Sequence, residues 1–179
     1  MIETLIEYDN GGKIEAYEMV DKSASDYQKI YTCCDFFAKQ GEKTLIAPQF
    51  EDTIGNSVYE RIFHALKGTP YWGKCPDFSV NGIWYEHEGY DLKKDLSDPA
   101  KRADTFSLMM KRGVKQSDRI IVEECNVGRF YAKRTIYNRI HFEHQNINEV
   151  YIRTDEGLEL LYKKRTDTSA SPLSPNPRL

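Results

Sequence analysis

The stretch Lys74-Cys-Pro-Asp-Phe-Ser-Val-Asn-Gly-Ile-Trp-Tyr-Glu-His-Glu88 holds the residues best spaced for chemistry. Asn81-Gly82 is the composition of a two-residue type I′ turn, which needs positive φ at both central positions. A turn there sets Val80 opposite Ile83, Ser79 opposite Trp84, Phe78 opposite Tyr85 and Asp77 opposite Glu86. Side chains alternate faces along a strand, so the hairpin has two surfaces. One carries Phe78, Val80, Ile83 and Tyr85 and is a core face. The other carries Asp77, Ser79, Trp84, Glu86 and Glu88. Like charges set directly across a strand pair destabilise it. A divalent cation held by oxygen ligands would compensate them. The plainer alternative is a solvated outer face on an acid-rich protein. His87 falls on the core side as a packed histidine.

The elements that must carry this hairpin follow from periodicity and punctuation. Ile2–Tyr8 and Lys13–Val20 read as a first hairpin around Asp9-Asn10-Gly11-Gly12. A helix from about Ala24 to Lys39, capped by Ser23 or Ser25, ends at Gly41, and Lys43–Ala47 is a short strand closed by Pro48. From Thr53 a helix places Tyr59, Ile62, Phe63 and Leu66 inward and Glu60 at the border of that stripe, and Gly68 stops it. A polar link, Gly89 to Leu96, leads to Ser97-Asp98-Pro99, a capping residue followed by proline at the first helical position. That helix buries Ala103, Phe106, Met109 and Met110 and stops at Gly113. Arg119–Val122 is an apolar strand of the sheet-interior type. A helix from about Tyr131 to His144 buries Ile136 and Ile140, and Glu149–Arg153 with Leu158–Tyr162 forms a last hairpin. Residues 165–179, rich in Ser, Thr and Pro, form a disordered tail.

The chain of 179 residues, 40% apolar and 30% charged, has the make-up of one folded core. It contains no apolar run of membrane-spanning length and no basic-then-apolar N-terminus, so a cytoplasmic protein without membrane contact is expected. Cys33, Cys34, Cys75 and Cys125 lack zinc or disulfide spacing and are expected as reduced thiols. His141 and His144 have no Cys or Asp partner at zinc spacing. The net charge of −3 conceals an asymmetry: residues 1–60 hold 12 acids against 5 bases, whereas residues 101–140 hold 10 bases against 4 acids. A basic segment after an acidic one suits a phosphate-bearing partner, or else decorates solvated helices.

The helix with an acid, the Pro76-Asp77-Phe78 entry to a hairpin, the Glu86-x-Glu88 exit, and Lys115-Gln116-Ser117-Asp118 before an apolar strand together resemble the PD-(D/E)xK, or restriction-endonuclease-like, nucleases. The nearest likeness is to the C-terminal tRNA-nuclease domains of contact-dependent growth inhibition toxins. The likeness covers roughly residues 53–163. It implies an α/β fold with α+β mixing: a central mixed sheet flanked by helices, forming a restriction-endonuclease-like core over 51–164. Residues 1–50, an N-terminal β-hairpin and helix without counterpart, pack on that core or form a small appendage. The resemblance also implies Mg²⁺- or Mn²⁺-dependent phosphodiester hydrolysis of nucleic acid, RNA and in particular tRNA over DNA. It makes Asp77 and Glu86 metal ligands and Glu60 a helix-borne ligand or orienter. Gln116 is expected to orient phosphate or water, or else to satisfy a backbone group; Lys111, Arg112, Lys115 and Arg119 are expected nearest the nucleic-acid backbone; and Trp84 is expected to stack on a base or to cover the sheet under a loop. Glu88 stands where the superfamily usually carries lysine. That departure leaves two alternatives: a catalytically inactive protein of this fold that binds nucleic acid or a protein partner, and a plain interaction module whose acidic N-terminal segment meets a basic partner.

Overall fold

The computed structural model describes residues 1–91 and 93–165. All but the first residue of the 165–179 tail lies outside the described residues. The strands are β1 (Ile2–Glu7), β2 (Lys13–Tyr17), β3 (Lys43–Ile46), β4 (Phe78–Val80), β5 (Ile83–Glu88), β6 (Arg119–Glu123), β7 (Glu149–Thr154) and β8 (Gly157–Lys163). They form one mixed eight-stranded sheet in which spatial order equals chain order. The pairings β2–β3, β5–β6 and β6–β7 are parallel, and the others are antiparallel. Each parallel pair requires a crossover. The helices α1 (Tyr27–Ala38), α3 (Pro99–Gly113) and α4 (Arg129–His141) supply the three, and α2 (Ser57–Ile62) lies between β3 and β4.

β6 shows how the sheet is sandwiched. Ile120 and Val122 face a core built by Phe106, Met109 and Met110 of α3 with Ala132 and Ile136 of α4. Ile121, between them, faces the opposite core, made by Ile30, Cys33, Cys34 and Phe37 of α1 with Phe78, Val80 and Tyr85. A strand covered on both sides reads as a continuous apolar run, as this one does. The first fifty residues therefore supply three strands and one covering helix of the sheet itself. Ile14, Ala16 and Ile46 share one core with Phe78 and Ile121.

Several boundaries differ from the expectation. α1 starts at Tyr27 behind Asp26, with no side-chain cap; the Ser23 hydroxyl is bonded instead to Asp21, 2.6 Å away. The helix expected from Thr53 to Gly68 is only α2, capped by the Asn56 side chain, followed by a separate 3-10 turn at His64–Leu66. Phe63 breaks it with non-helical backbone (φ −101, ψ 20), and in that position its ring packs on Tyr59, Phe50 and Trp84. Ile83, assigned to the core face, is 45% exposed because it lies at the hairpin tip, beyond the cover of α1. Among the described residues no helix is long and apolar enough to cross a membrane.

Candidate functional site

The hairpin closes as its turn demands. Asn81 and Gly82 adopt φ of 50° and 79°, and Phe78, Ser79 and Val80 pair with Tyr85, Trp84 and Ile83. Asp77 enters β4 beside the outgoing end of β5, and both it and Glu86 are buried. The His87 main-chain N–H donates to Asp77 Oδ2 at 2.8 Å, and Gln49 Nε2 donates to Oδ1 at 3.1 Å and to the Cys75 carbonyl at 3.0 Å. Glu86 Oε2 is buried with no hydrogen-bond partner among the described residues. An orphaned, charge-bearing oxygen in this setting is costly unless something outside the chain meets it.

These side chains line a cavity of about 760 Å³ at the end of the sheet where β5 finishes. Asp26, Lys29, Gln49, Glu88, Asp91, Lys93 and Arg112 line it as well. Burial pushes the Asp77 carboxyl up to about 7, reinforced by the charges of Asp26 and Glu88 and opposed by the His87 N–H. Burial, followed by the charges of Asp77 and Glu88, holds the Glu86 carboxyl well above the usual carboxylate range. Glu88 is raised by burial against the pull of Arg112, whose Nε lies 2.8 Å from Glu88 Oε2. Where the nuclease pattern carries lysine, this chain thus has a carboxylate bridged to a guanidinium from α3.

Asp77, Glu86 and Glu88 are brought to one cavity; the other expected residues are not all there. Glu60 is outside it. Its carboxylate accepts the Gly55 N–H at 3.0 Å and so serves the entry to its own short helix. Gln116, Trp84 and Arg119 line a separate depression of about 400 Å³, with Trp84 packed on Phe63 and Arg119 paired to Asp118. Lys111 and Lys115 are exposed and line neither. Of the expected cations only Arg112 faces the acids. Among the described residues no three His, Cys, Asp or Glu side chains are gathered closely enough to cage an ion.

The residues not anticipated come from the N-terminal third. Asp26 stands at the N-terminal cap of α1 and Lys29 in its first turn, and Gln49 follows Pro48 just after β3. Nothing in their local spacing separates them from solvated residues. They meet Asp77 only because β3 pairs with β4 and α1 crosses beneath both. Asp26, at the N-terminal cap of α1, is thus an acid beside this cavity, whereas Glu60, which the resemblance gave as the helix-borne ligand or orienter, is not.

The opposite face at this end is organised by a buried ion cluster. His87 Nε2 donates to Glu123 Oε1 at 2.6 Å, and Arg153 grips the same carboxylate through Nε at 2.5 Å and Nη2 at 2.8 Å. Burial pushes Glu123 up, but His87 and Arg153 outweigh it and hold the carboxyl down at about 2. This cluster fixes the strand ends next to the residue whose main chain holds Asp77.

Gly113 lets α3 approach. A Cβ there would lie 2.6 Å from Ile120 Cγ2 and 3.3 Å from Glu88 Cγ. Gly113→Ala is expected to push the last turn of α3 off β5 and β6 and weaken the Arg112–Glu88 pair. The expected loss is about 1–3 kcal/mol in chemical denaturation, the usual cost of overpacking. An unchanged midpoint would show that the contact yields freely.

Comparison of the chain with protein-family models, with curated proteins and with solved structures returns no match.

Proposed function

We propose that the protein hydrolyses phosphodiester bonds in nucleic acid with the help of a divalent cation, Mg²⁺ or Mn²⁺, held by Asp77 and Glu86. The observation that carries this reading is the pair of buried carboxylates, each raised chiefly by burial, opening on one cavity, with Glu86 Oε2 lacking any partner among the described residues. Perturbed acids converging in a cleft are a mark of functional sites. A cation bound there supplies Lewis-acid stabilisation of phosphoryl charge and a more acidic water. Gln49 and the His87 N–H hold Asp77 in one orientation. Arg112, Lys29 and Lys93 offer positive charge to a phosphate entering the cavity. Glu88, raised by burial yet tethered to Arg112, is the candidate proton acceptor. RNA over DNA, tRNA foremost, comes with the family resemblance, and a reducing cytoplasm suits the four free thiols.

Purified protein with Mg²⁺ or Mn²⁺ is expected to degrade tRNA and single-stranded RNA faster than DNA, and a chelator to stop it. Asp77→Ala should lower the rate by roughly a thousandfold, the worth of several kcal/mol of charge stabilisation. Full cleavage by that variant would overturn the site. The Glu88–Arg112 bridge favours a second reading, a non-hydrolytic binder of the same architecture. Absence of cleavage on every substrate, with no calorimetric heat from Mn²⁺, would select it.

A further inference from the structure

The outer face of α4 carries aromatic rings and cations where a surface helix would ordinarily be polar. Ala132, Ile136 and Arg139 form its buried side. On the other side Phe130, Lys133, Arg134, Tyr137 and His141 recur three or four residues apart, the spacing that aligns side chains along one helix face. All five are exposed, Phe130 at 82% and Tyr137 at 54%, and Phe142 just beyond the helix is 72% exposed. The Tyr137 and His141 ring centres are 4.1 Å apart, and Phe142 closes on Tyr137 edge-on at 6.3 Å. The stripe from Phe130 to His141 is about 16 Å long at the usual helical rise.

The charges are one-sided. No Asp or Glu occurs between Glu124 and Glu143. Arg129 is held by Glu124 and Glu159, and Arg139 by Glu143; Lys133 and Arg134 make no ion pair among the described residues. Exposed rings alternating with free cations match a partner that is both polyanionic and flat-faced. An unpaired nucleic-acid strand is such a partner: its bases stack on aromatic side chains and its phosphates meet Lys and Arg. A duplex hides those base faces.

We propose that this face of α4 is a docking platform for single-stranded nucleic acid. α4 packs on the same core as α3, which carries Arg112, so the platform lies on the same side of the sheet as that helix. The proposal extends the hydrolytic reading by naming a strand-binding surface outside the cavity, and it is measured without cleavage.

Fluorescence anisotropy in a chelator, with a labelled 20-nucleotide single-stranded RNA, tests it. Phe130→Ala with Tyr137→Ala is expected to weaken binding roughly tenfold per ring. Lys133→Glu with Arg134→Glu should weaken it too, and should lower the log–log salt slope by about 1.4 for two lost phosphate contacts. Because all four side chains are exposed, melting temperatures should hold, which separates lost binding from lost folding. Single-stranded DNA of the same sequence shows whether the ribose matters, and a duplex should show no dependence on the rings. Equal affinity in wild type and both double variants overturns the proposal. So does self-association that the ring variant abolishes, which would make the face a contact between copies. Ring-dependent binding without any cleavage under Mg²⁺ would sink the hydrolytic reading alone. Cleavage with ring-independent binding would sink this one alone.

Discussion

Glu86→Gln is expected to abolish divalent-dependent cleavage and, in chelator-treated protein at pH 8, to raise stability. Gln keeps the shape and one acceptor, but removes a buried acid that lies against Asp77 and has an oxygen with no partner among the described residues. The sign follows from linkage. Asp77 has a folded value of about 7 against an unfolded value near 3.8. Its contribution to stability is fully present below about pH 3.8 and is lost as pH rises through about 7. The difference is worth on the order of 4 kcal/mol if the group stayed isolated. Glu86, raised for the same reason, adds to the loss. Metal-free wild type should therefore become less stable between pH 5 and pH 8, and Glu86→Gln should flatten that slope. A gain of about 2 kcal/mol, or roughly 4–8 °C in melting temperature, is the expected size at pH 8. The cation competes with protons for the same oxygens, so cleavage should climb as pH rises through about 7, where Asp77 loses its proton. A Glu86→Gln protein that is both less stable and fully active would refute the assignment.

Arg153→Met is expected to be the most destabilising single change at this end of the sheet. It leaves Glu123 buried, with His87 as its remaining partner in the cluster. Breaking a buried pair from one side costs about 3–5 kcal/mol, which for a chain of this size is roughly 6–20 °C in melting temperature. The pH signature is opposite to that of Asp77. Glu123 is depressed to about 2 from an ordinary value near 4.5. It stabilises the fold above about pH 4.5, and that contribution disappears as pH falls through about 2. Wild type should resist acid until that range, whereas Arg153→Met should unfold at distinctly higher pH. Because His87 links this cluster to Asp77 through the main chain, the variant should also weaken Mn²⁺ binding. Acid stability identical to wild type would show that Arg153 does not hold the cluster.

The two clusters divide the strand ends by sign. Acids on the α3 side are raised and repel one another, while the acid on the α1 side is paired and depressed. The repelling acids thus lie next to strand ends held by a paired cluster.

Local sequence settled the hairpin and its consequences. Asn81-Gly82 takes positive φ cheaply, so the register of Phe78, Ser79 and Val80 against Tyr85, Trp84 and Ile83 follows from two residues, and Asp77 enters just ahead of it. Period-two alternation likewise identified Phe78, Val80 and Tyr85 as core, and the uninterrupted Ile120-Ile121-Val122 run marked a strand covered on both faces. Capping chemistry located α3, where Asp98 accepts the Ala100 N–H ahead of Pro99. Those are short-range properties, readable because turns, caps and pleat depend on neighbours within a few residues.

Long-range pairing decided the rest of the site. Glu60 and Asp26 are both acids at a helix start, and no local property marks one of them as the acid that meets Asp77. Only the sheet order carries the start of α1 to the Asp77 cavity, while Glu60 turns back onto Gly55. Gln49 became a brace for Asp77 because β3 lies beside β4, a contact between segments 28 residues apart. Glu88 found a cation in Arg112 because Gly113 lets α3 settle against β5 and β6. By itself the sequence determined which two acids face each other across the hairpin. Which cations, amides and further acids surround them was decided only by the packing of the whole sheet, because those partners belong to separate elements that local spacing cannot bring together.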